Sequence, residues 1–252
     1  MTDTVVVTRK DGIAEIILSR PHRLNAINDE LLVDFTNALK TLNADDEIGV
    51  IILRGAGKAF CAGDDLKESH TQNMSETEIR QYLEDIQGIT RLLMHSEKVV
   101  IGAVHGWAAG GGFEWLLNCD FAILAENTRC FFPEVGLGIF VTGGISSILP
   151  NLVGLPKARE LILLGEKIDA QTALKLGIAW KVVAQDALLD EACALAGRLM
   201  AMPHKARGKA KLALNKAPFL PLHEAMALET TVTTEGFMDP ETAARAAAAI
   251  AG

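Results

Sequence analysis

Three consecutive glycines, Gly110-Gly111-Gly112, follow the apolar run Val99 to Val104 and lead into Phe113-Glu114-Trp115-Leu116-Leu117. A short continuous apolar run bounded by glycine reads as a strand buried on both faces. Glycine lets another group come within contact distance of the main chain. The helix that opens here presents N–H groups with no partner inside the helix, at the positive end of its dipole. Such a turn can hold an anion or a developing oxyanion. Glu114 lies three residues after Gly111, and one helical turn brings the two to the same side. The same residues would also serve as a plain strand-to-helix turn with Glu114 solvated.

The rest of the chain supplies strands and helices for this turn to sit among. Val5 to Val7 and Ile13 to Leu18 read as a hairpin around Asp11-Gly12. A helix is expected over Asp29 to Leu42, capped by Asn28, and Val50 to Leu53 reads as a second buried strand. Ser75 and Glu78 form a capping box for a helix with Ile79, Leu83, Ile86 and Leu93 on one face. Phe121 to Leu124 is a third strand. From Asp186 the strands stop, Leu188, Ala192, Leu195 and Leu199 mark a helix, and three more follow. The reading is an α/β chain, with a core over residues 1–185 and a helical C-terminal region over 186–252.

Composition narrows the function classes. With 252 residues, 49% hydrophobic, the chain can bury one large core. Its net charge of −8, from 24 basic and 32 acidic residues, argues against bulk nucleic-acid binding. Cys61, Cys119, Cys130 and Cys193 form no CxxC pair and read as buried thiols of a reducing compartment. Met1 to Lys10 has no apolar leader pattern, and no stretch has the length of a membrane span. The expectation is a soluble cytoplasmic protein that binds no membrane and no nucleic acid.

Two further segments carry chemistry. Gly55 to Glu68 follows a buried strand and is rich in small residues, with Ala62-Gly63-Asp64-Asp65-Leu66-Lys67 at its end. It is either a ligand loop or an ordinary connection. In Phe131-Phe132-Pro133-Glu134, a proline fixes a glutamate behind two aromatics. A carboxyl behind an apolar wall tends toward a raised pKa, which suits proton donation near neutrality. A Pro-Glu pair also starts helices. Several chemistries lack their motifs. Gly55-Ala56-Gly57-Lys58 has neither P-loop spacing nor a hydroxyl after the lysine, Ser146-Ser147 lack a nucleophile elbow, and the six histidines make no i, i+4 pair. No metal site is expected.

In order and spacing, the AGxDL loop, the GGGxE turn and the PE pair resemble the enoyl-CoA hydratase/isomerase family, the crotonase superfamily. Ser19 to Ala26, Gly165 to Ala170 and Ala173 to Gly177 extend the resemblance over most of the chain. It implies a crotonase-like spiral of ββα units, with a helical C-terminal region that assembles a homotrimer or a dimer of trimers and adds CoA contacts. It also implies an acyl-CoA substrate, coenzyme A being part of the substrate and no further cofactor being needed. By position, the backbone N–H groups of Asp64 and Gly111 would form an oxyanion hole, and Glu114 and Glu134 would be the catalytic pair. His22, Arg23, Leu24, Ala62, Asp65, Leu66 and Lys67 would line the CoA path.

The activity this implies is syn addition of water to a 2-enoyl-CoA. Glu114 would chiefly activate the water, and Glu134 would protonate the α-carbon. An enoyl-CoA isomerase, which commonly uses one carboxylate, or another superfamily lyase or hydrolase is the same-fold alternative. A non-catalytic or RNA-binding member is a third. Three departures from the family pattern stand out. Asp64 is charged where a small neutral residue is common, the stretch Gly138 to Ile145 lacks the usual Gly-xx-Pro-Gly-x-Gly-Gly-Thr pattern and carries bulky Phe140 and Val141, and the basic F-x-E-K-R tail is absent. The basic stretch His204 to Lys211 is either a solvated helix face or a substitute phosphate contact.

Overall fold

The computed structural model describes residues 4–68 and 73–251; the first three residues of the stretch read for a leader lie outside it. β1 (Val5–Lys10) and β2 (Ile13–Leu18) form the expected hairpin, with Asp11 and Gly12 both at positive φ. That turn twists with its flanking strands. α1 (Asp29–Asn43) starts where the Asn28 side chain accepts the Leu31 N–H at 3.1 Å. β3 (Val50–Gly55) runs parallel to β2, and α2 (Glu76–Met94) opens on the Ser75–Glu78 capping box. On α2 the inward face is Ile86, Ile89 and Leu93, whereas Leu83 is exposed, so the buried stripe lies further along the helix than its apolar spacing predicts.

β4 (Val99–Val104), β6 (Phe121–Ala125) and β9 (Lys181–Val183) complete a six-stranded sheet in the order β1-β2-β3-β4-β6-β9, parallel beyond the hairpin. A second sheet, β5 (Trp107–Ala109), β7 (Arg129–Phe131) and β8 (Ile168–Asp169), is too short to stand out in the sequence. β4 therefore does not run straight into the glycines. The chain first crosses to the second sheet through β5 and then enters α3 (Gly111–Leu117). The preceding turn does the same in miniature. Cys61 makes a single parallel bridge to Ala108 before the chain reaches α2. After the opening hairpin, the turns that begin at β3, β4 and β6 each lay one strand in the large sheet and then cross to the small one, with helices outside, which is a ββα spiral.

Both faces of the large sheet are covered, which is why its parallel strands read as unbroken apolar runs. Ile51, Leu53, Val100 and Val104 face the main core with Phe35, Leu39 and Phe113. Val50, Ile52, Val99, Ile101 and Ile123 face Leu188, Ala192, Leu195, Ala196 and Leu199 of α7 (Leu188–Met200). Each aliphatic side chain buried there contributes roughly 1.5–3 kcal/mol, so α7 is part of the core rather than an appendage.

α8 (His204–Lys216), α9 (Leu222–Phe237) and α10 (Pro240–Ala251) follow. No residue of α9 is buried, and Leu222, Met226, Phe237 and Met238 are exposed. The basic stretch on α8 is largely committed to the chain itself. Lys211 is buried, donates to the Leu93 and Lys98 carbonyls at 2.6 Å each, and pairs with Asp120 at 2.8 Å. Arg207 is buried and donates to the Leu199 carbonyl, while Lys205 and Lys209 pair with Asp239, Glu97 and Glu235. Cys61 and Cys130 are buried and Cys119 is nearly so, but Cys193 on the outer face of α7 is exposed, contrary to the reading of four buried thiols. Among the described residues no helix is long and apolar enough to cross a membrane.

Candidate active site

The glycine turn is built by close contact on every side. Gly110 has φ 51° and ψ −126°, and a Cβ there would stand 2.7 Å from Glu134 Oε1. A Cβ on Gly112 would collide with the carbonyl of Cys61. The turn can therefore carry no side chain at either position, and α3 is pressed against the Cys61 loop. The Gly110 N–H donates to the Phe131 carbonyl at 3.0 Å, which ties this turn to the segment that carries Glu134.

The loop opposite is pinned from beneath. Arg20 and Asn25 are buried. The Asn25 amide donates to the Ala56, Ala59 and Phe60 carbonyls, and Arg20 donates to Ala26 O and to the Asp65 carboxylate at 3.2 Å. The Ile27 N–H donates to Gly63 O and the Asp65 N–H to Ile27 O, both at 2.8 Å, so the chain on either side of Asp64 is held and the Asp64 N–H is bypassed. Neither the Asp64 nor the Gly111 N–H donates to an acceptor among the described residues. The two free donors lie on facing segments, Asp64 Oδ1 being 3.9 Å from a Cβ built on Gly111.

Two glutamates flank these donors in different surroundings. Glu114 is 2% exposed and its carboxylate is fully engaged. The Thr142 N–H donates to Oε1 at 2.8 Å, while the Gly143 N–H at 2.7 Å and the Thr142 hydroxyl at 3.1 Å donate to Oε2. Burial pushes its pKa up, and these donors oppose the rise by stabilising the ionised form. Glu134 is 8% exposed, and its Oε2 has no hydrogen-bond partner. Burial is the main cause that lifts its pKa to about 7; its own backbone N–H lowers it, and the charges of Glu114 and Asp64 raise it. Phe132 behind it stacks on Phe113 at 4.6 Å, which is the apolar wall expected from the sequence. One carboxyl thus accepts three hydrogen bonds that favour its ionised form, while the other has an unpartnered oxygen and can hold a proton near neutrality.

Of the residues assigned to the CoA path, Leu24, Leu66 and Lys67 are exposed at the rim with His22, and Arg23 and Ala62 are partly so. Asp65 is buried, with its carboxylate occupied by Arg20 and by the Lys67 N–H. The sequence reading had no role for Thr142 and Gly143, Glu114's partners. They stand in the segment where the chain departs from the family pattern, and only their contact with Glu114 singles them out.

A spiral of ββα turns, with two buried carboxyls beside two unused N–H groups, defines the crotonase-like class of α/β proteins. The sequence profile described as enoyl-CoA hydratase/isomerase matches residues 8–244. The chain belongs to that family. It is 35% identical to a crotonyl-CoA hydratase of Syntrophomonas wolfei over 90% of this chain and 87% of that one. It is 34% identical to a short-chain-enoyl-CoA hydratase of Clostridium acetobutylicum, over 93% and 90%. An enoyl-CoA hydratase structure from Mycobacterium smegmatis superposes with a TM-score of 0.93 at 27% identity, over 98% of this chain and 96% of that one.

Proposed function

We propose that this chain is an enoyl-CoA hydratase that adds water reversibly and syn across the double bond of a 2-enoyl-CoA. The observation that carries the reading is the unequal environment of Glu114 and Glu134 beside the two free N–H groups. Adding water to a conjugated thioester builds enolate charge on the carbonyl oxygen. The N–H groups of Asp64 and Gly111 serve as its oxyanion hole, each fixed donor being worth ~3–4 kcal/mol. Glu114, whose ionised form is favoured by the Thr142 and Gly143 N–H groups, accepts a proton as the water attacks the β-carbon. Glu134 delivers a proton to the α-carbon from its unpartnered side. The reverse reaction follows the same path, so there Glu134 accepts the α-proton and Glu114 donates to the departing hydroxyl.

The thioester enters along the loop of His22, Arg23, Leu24, Ala62, Asp65, Leu66 and Lys67, with no cofactor beyond the CoA of the substrate. The exposed apolar side chains of α9 support assembly as a homotrimer or a dimer of trimers, in the cytoplasm. The deciding experiment is a product-resolved screen of enoyl-CoA thioesters of varied length and branching. 3-Hydroxyacyl-CoA formation supports the reading. Double-bond migration without water uptake would make the chain an isomerase instead.

A further inference from the structure

Among the described residues, Asp65 pairs with a cation and the neighbouring Asp64 does not. Arg20 spends its guanidinium on Asp65, Glu68 and the Ala26 carbonyl, and Asp64 has no ion pair or side-chain hydrogen bond among the described residues. Its carboxylate instead faces the glycine turn, with Oδ1 3.9 Å from a Cβ on Gly111, while Glu134 Oε1 lies 2.7 Å from a Cβ on Gly110. Consecutive Cα atoms are about 3.8 Å apart, so the two carboxyls converge on one turn with Glu114 beyond it.

A neutral side chain at position 64 would offer the same backbone N–H without placing a third carboxyl here. From the geometry we infer that the Asp64 carboxylate is a positioning residue for the proton on Glu134, holding it there by charge and so setting the alkaline limit of turnover. This rests on the hydratase reading, in which Glu134 is the proton donor.

The groups around the two carboxyls fit that role. Glu114 on α3 faces both, and Tyr82 on α2 faces Asp64, its hydroxyl pushed up by burial first and then by the charges of Asp64 and Asp29. Asp64 is open to the water of the cleft, yet the surrounding protein, and then Glu114, push its carboxyl up to about 6, below the value of about 7 for Glu134. Asp64 therefore ionises first, and its charge then opposes loss of the Glu134 proton. An acyl-CoA filling the cleft would displace the screening water and strengthen that effect.

The test is the pH dependence of kcat for crotonyl-CoA hydration in the wild type, Asp64→Asn and Asp64→Glu, with Asp64→Ser as the second neutral variant should the asparagine protein fail to fold. Removing a like charge lowers the Glu134 pKa, so the neutral variant should move the alkaline limb down by about one unit. Its ratio of turnover at about pH 9 to that at about pH 6 should then fall roughly fivefold, and Asp64→Glu should restore the limb. A neutral variant slowed equally at every pH overturns the inference while leaving the hydratase reading intact. If the wild type hydrates no enoyl-CoA, the hydratase reading fails, and a double-mutant cycle in melting temperature decides the Asp64–Glu134 coupling. The gain from Glu134→Gln at alkaline pH should be smaller in the Asp64→Asn background than in the wild type, and additive gains would overturn the coupling.

Discussion

The Gly143 backbone N–H donates to Glu114 Oε2 at 2.7 Å, and a Cβ on Gly143 would stand 2.7 Å from that same oxygen. The residue that orients the carboxylate thus has room to do so only as glycine. Thr142 adds a second N–H and a hydroxyl, so one short segment before α4 (Ile145–Val153) fixes the position of a carboxyl on α3 and supplies the donors that favour its ionised form.

Gly143→Ala should displace Glu114 while leaving the fold in place. Misplacing a catalytic group by about 1 Å can cost ~100-fold, so turnover on crotonyl-CoA should drop by that order with an unchanged circular dichroism spectrum. Thr142→Val keeps the N–H and removes one hydroxyl donor. A hydrogen bond to a charged group is worth ~1.5–3 kcal/mol, and a loss of about tenfold is expected. Wild-type turnover in Gly143→Ala would argue against Glu114 as the base.

Glu114→Gln and Glu134→Gln should each lower hydration by at least ~100-fold, the lower end for general acid–base catalysis. The double variant should be far less than multiplicatively worse, because groups serving one water act as a unit. Acyl-CoA binding should persist, since the N–H donors belong to the backbone. Intact turnover in Glu114→Gln with none in Glu134→Gln would point to one-carboxylate isomerase chemistry.

The raised pKa of Glu134 makes stability depend on pH. In the unfolded chain this carboxyl titrates near its ordinary value of 4.5, and in the folded protein at about 7. Folding therefore holds a proton that the unfolded state has lost, and this contribution, complete below pH 4.5, disappears as pH rises through 7. Glu134→Gln should melt higher than the wild type at alkaline pH and show little gain near pH 4.5. The gain should be ~2–4 °C per kcal/mol for a chain of this size. Equal melting curves at alkaline pH would mean that the carboxyl is not desolvated.

Lys211 is the anchor of α8. Replacing it with methionine leaves the largely enclosed Asp120 without its cation and the Leu93 and Lys98 carbonyls without a donor. Breaking one side of a buried pair costs ~3–5 kcal/mol, so denaturant midpoints should fall markedly. Loss well under 1 kcal/mol would show that water replaces the ammonium.

The unburied apolar side chains of α9 call for a partner surface. Light scattering should give a mass near three or six times 27.0 kDa. A monomer at micromolar concentration would remove the assembly role given to this helix.

Local order was legible where neighbours in the chain decide it. Asn28 and the Ser75–Glu78 box cap helices through residues within a turn, and Asp11-Gly12 closes a hairpin by its own backbone freedom. The buried strands were legible because a sheet covered on both faces demands an unbroken apolar run. Glu114 and Glu134 stood out through the glycines and the proline beside them. The sequence alone determined these elements, the acidic balance and, through motif spacing, the family.

Only the tertiary structure decided which polar groups meet. Thr142 reaches Glu114 across 28 positions, and Lys211 reaches Leu93 across 118. Asp64 and Asp65 are adjacent and chemically identical, yet Arg20, 45 positions before Asp65, neutralises one and leaves the other facing the site. Short strands such as β5 and β7 exist because the spiral brings them side by side, since three residues carry too little pattern to declare themselves. A carboxyl's proton affinity depends on the water and charge around it in space, and the turns of the spiral set that environment.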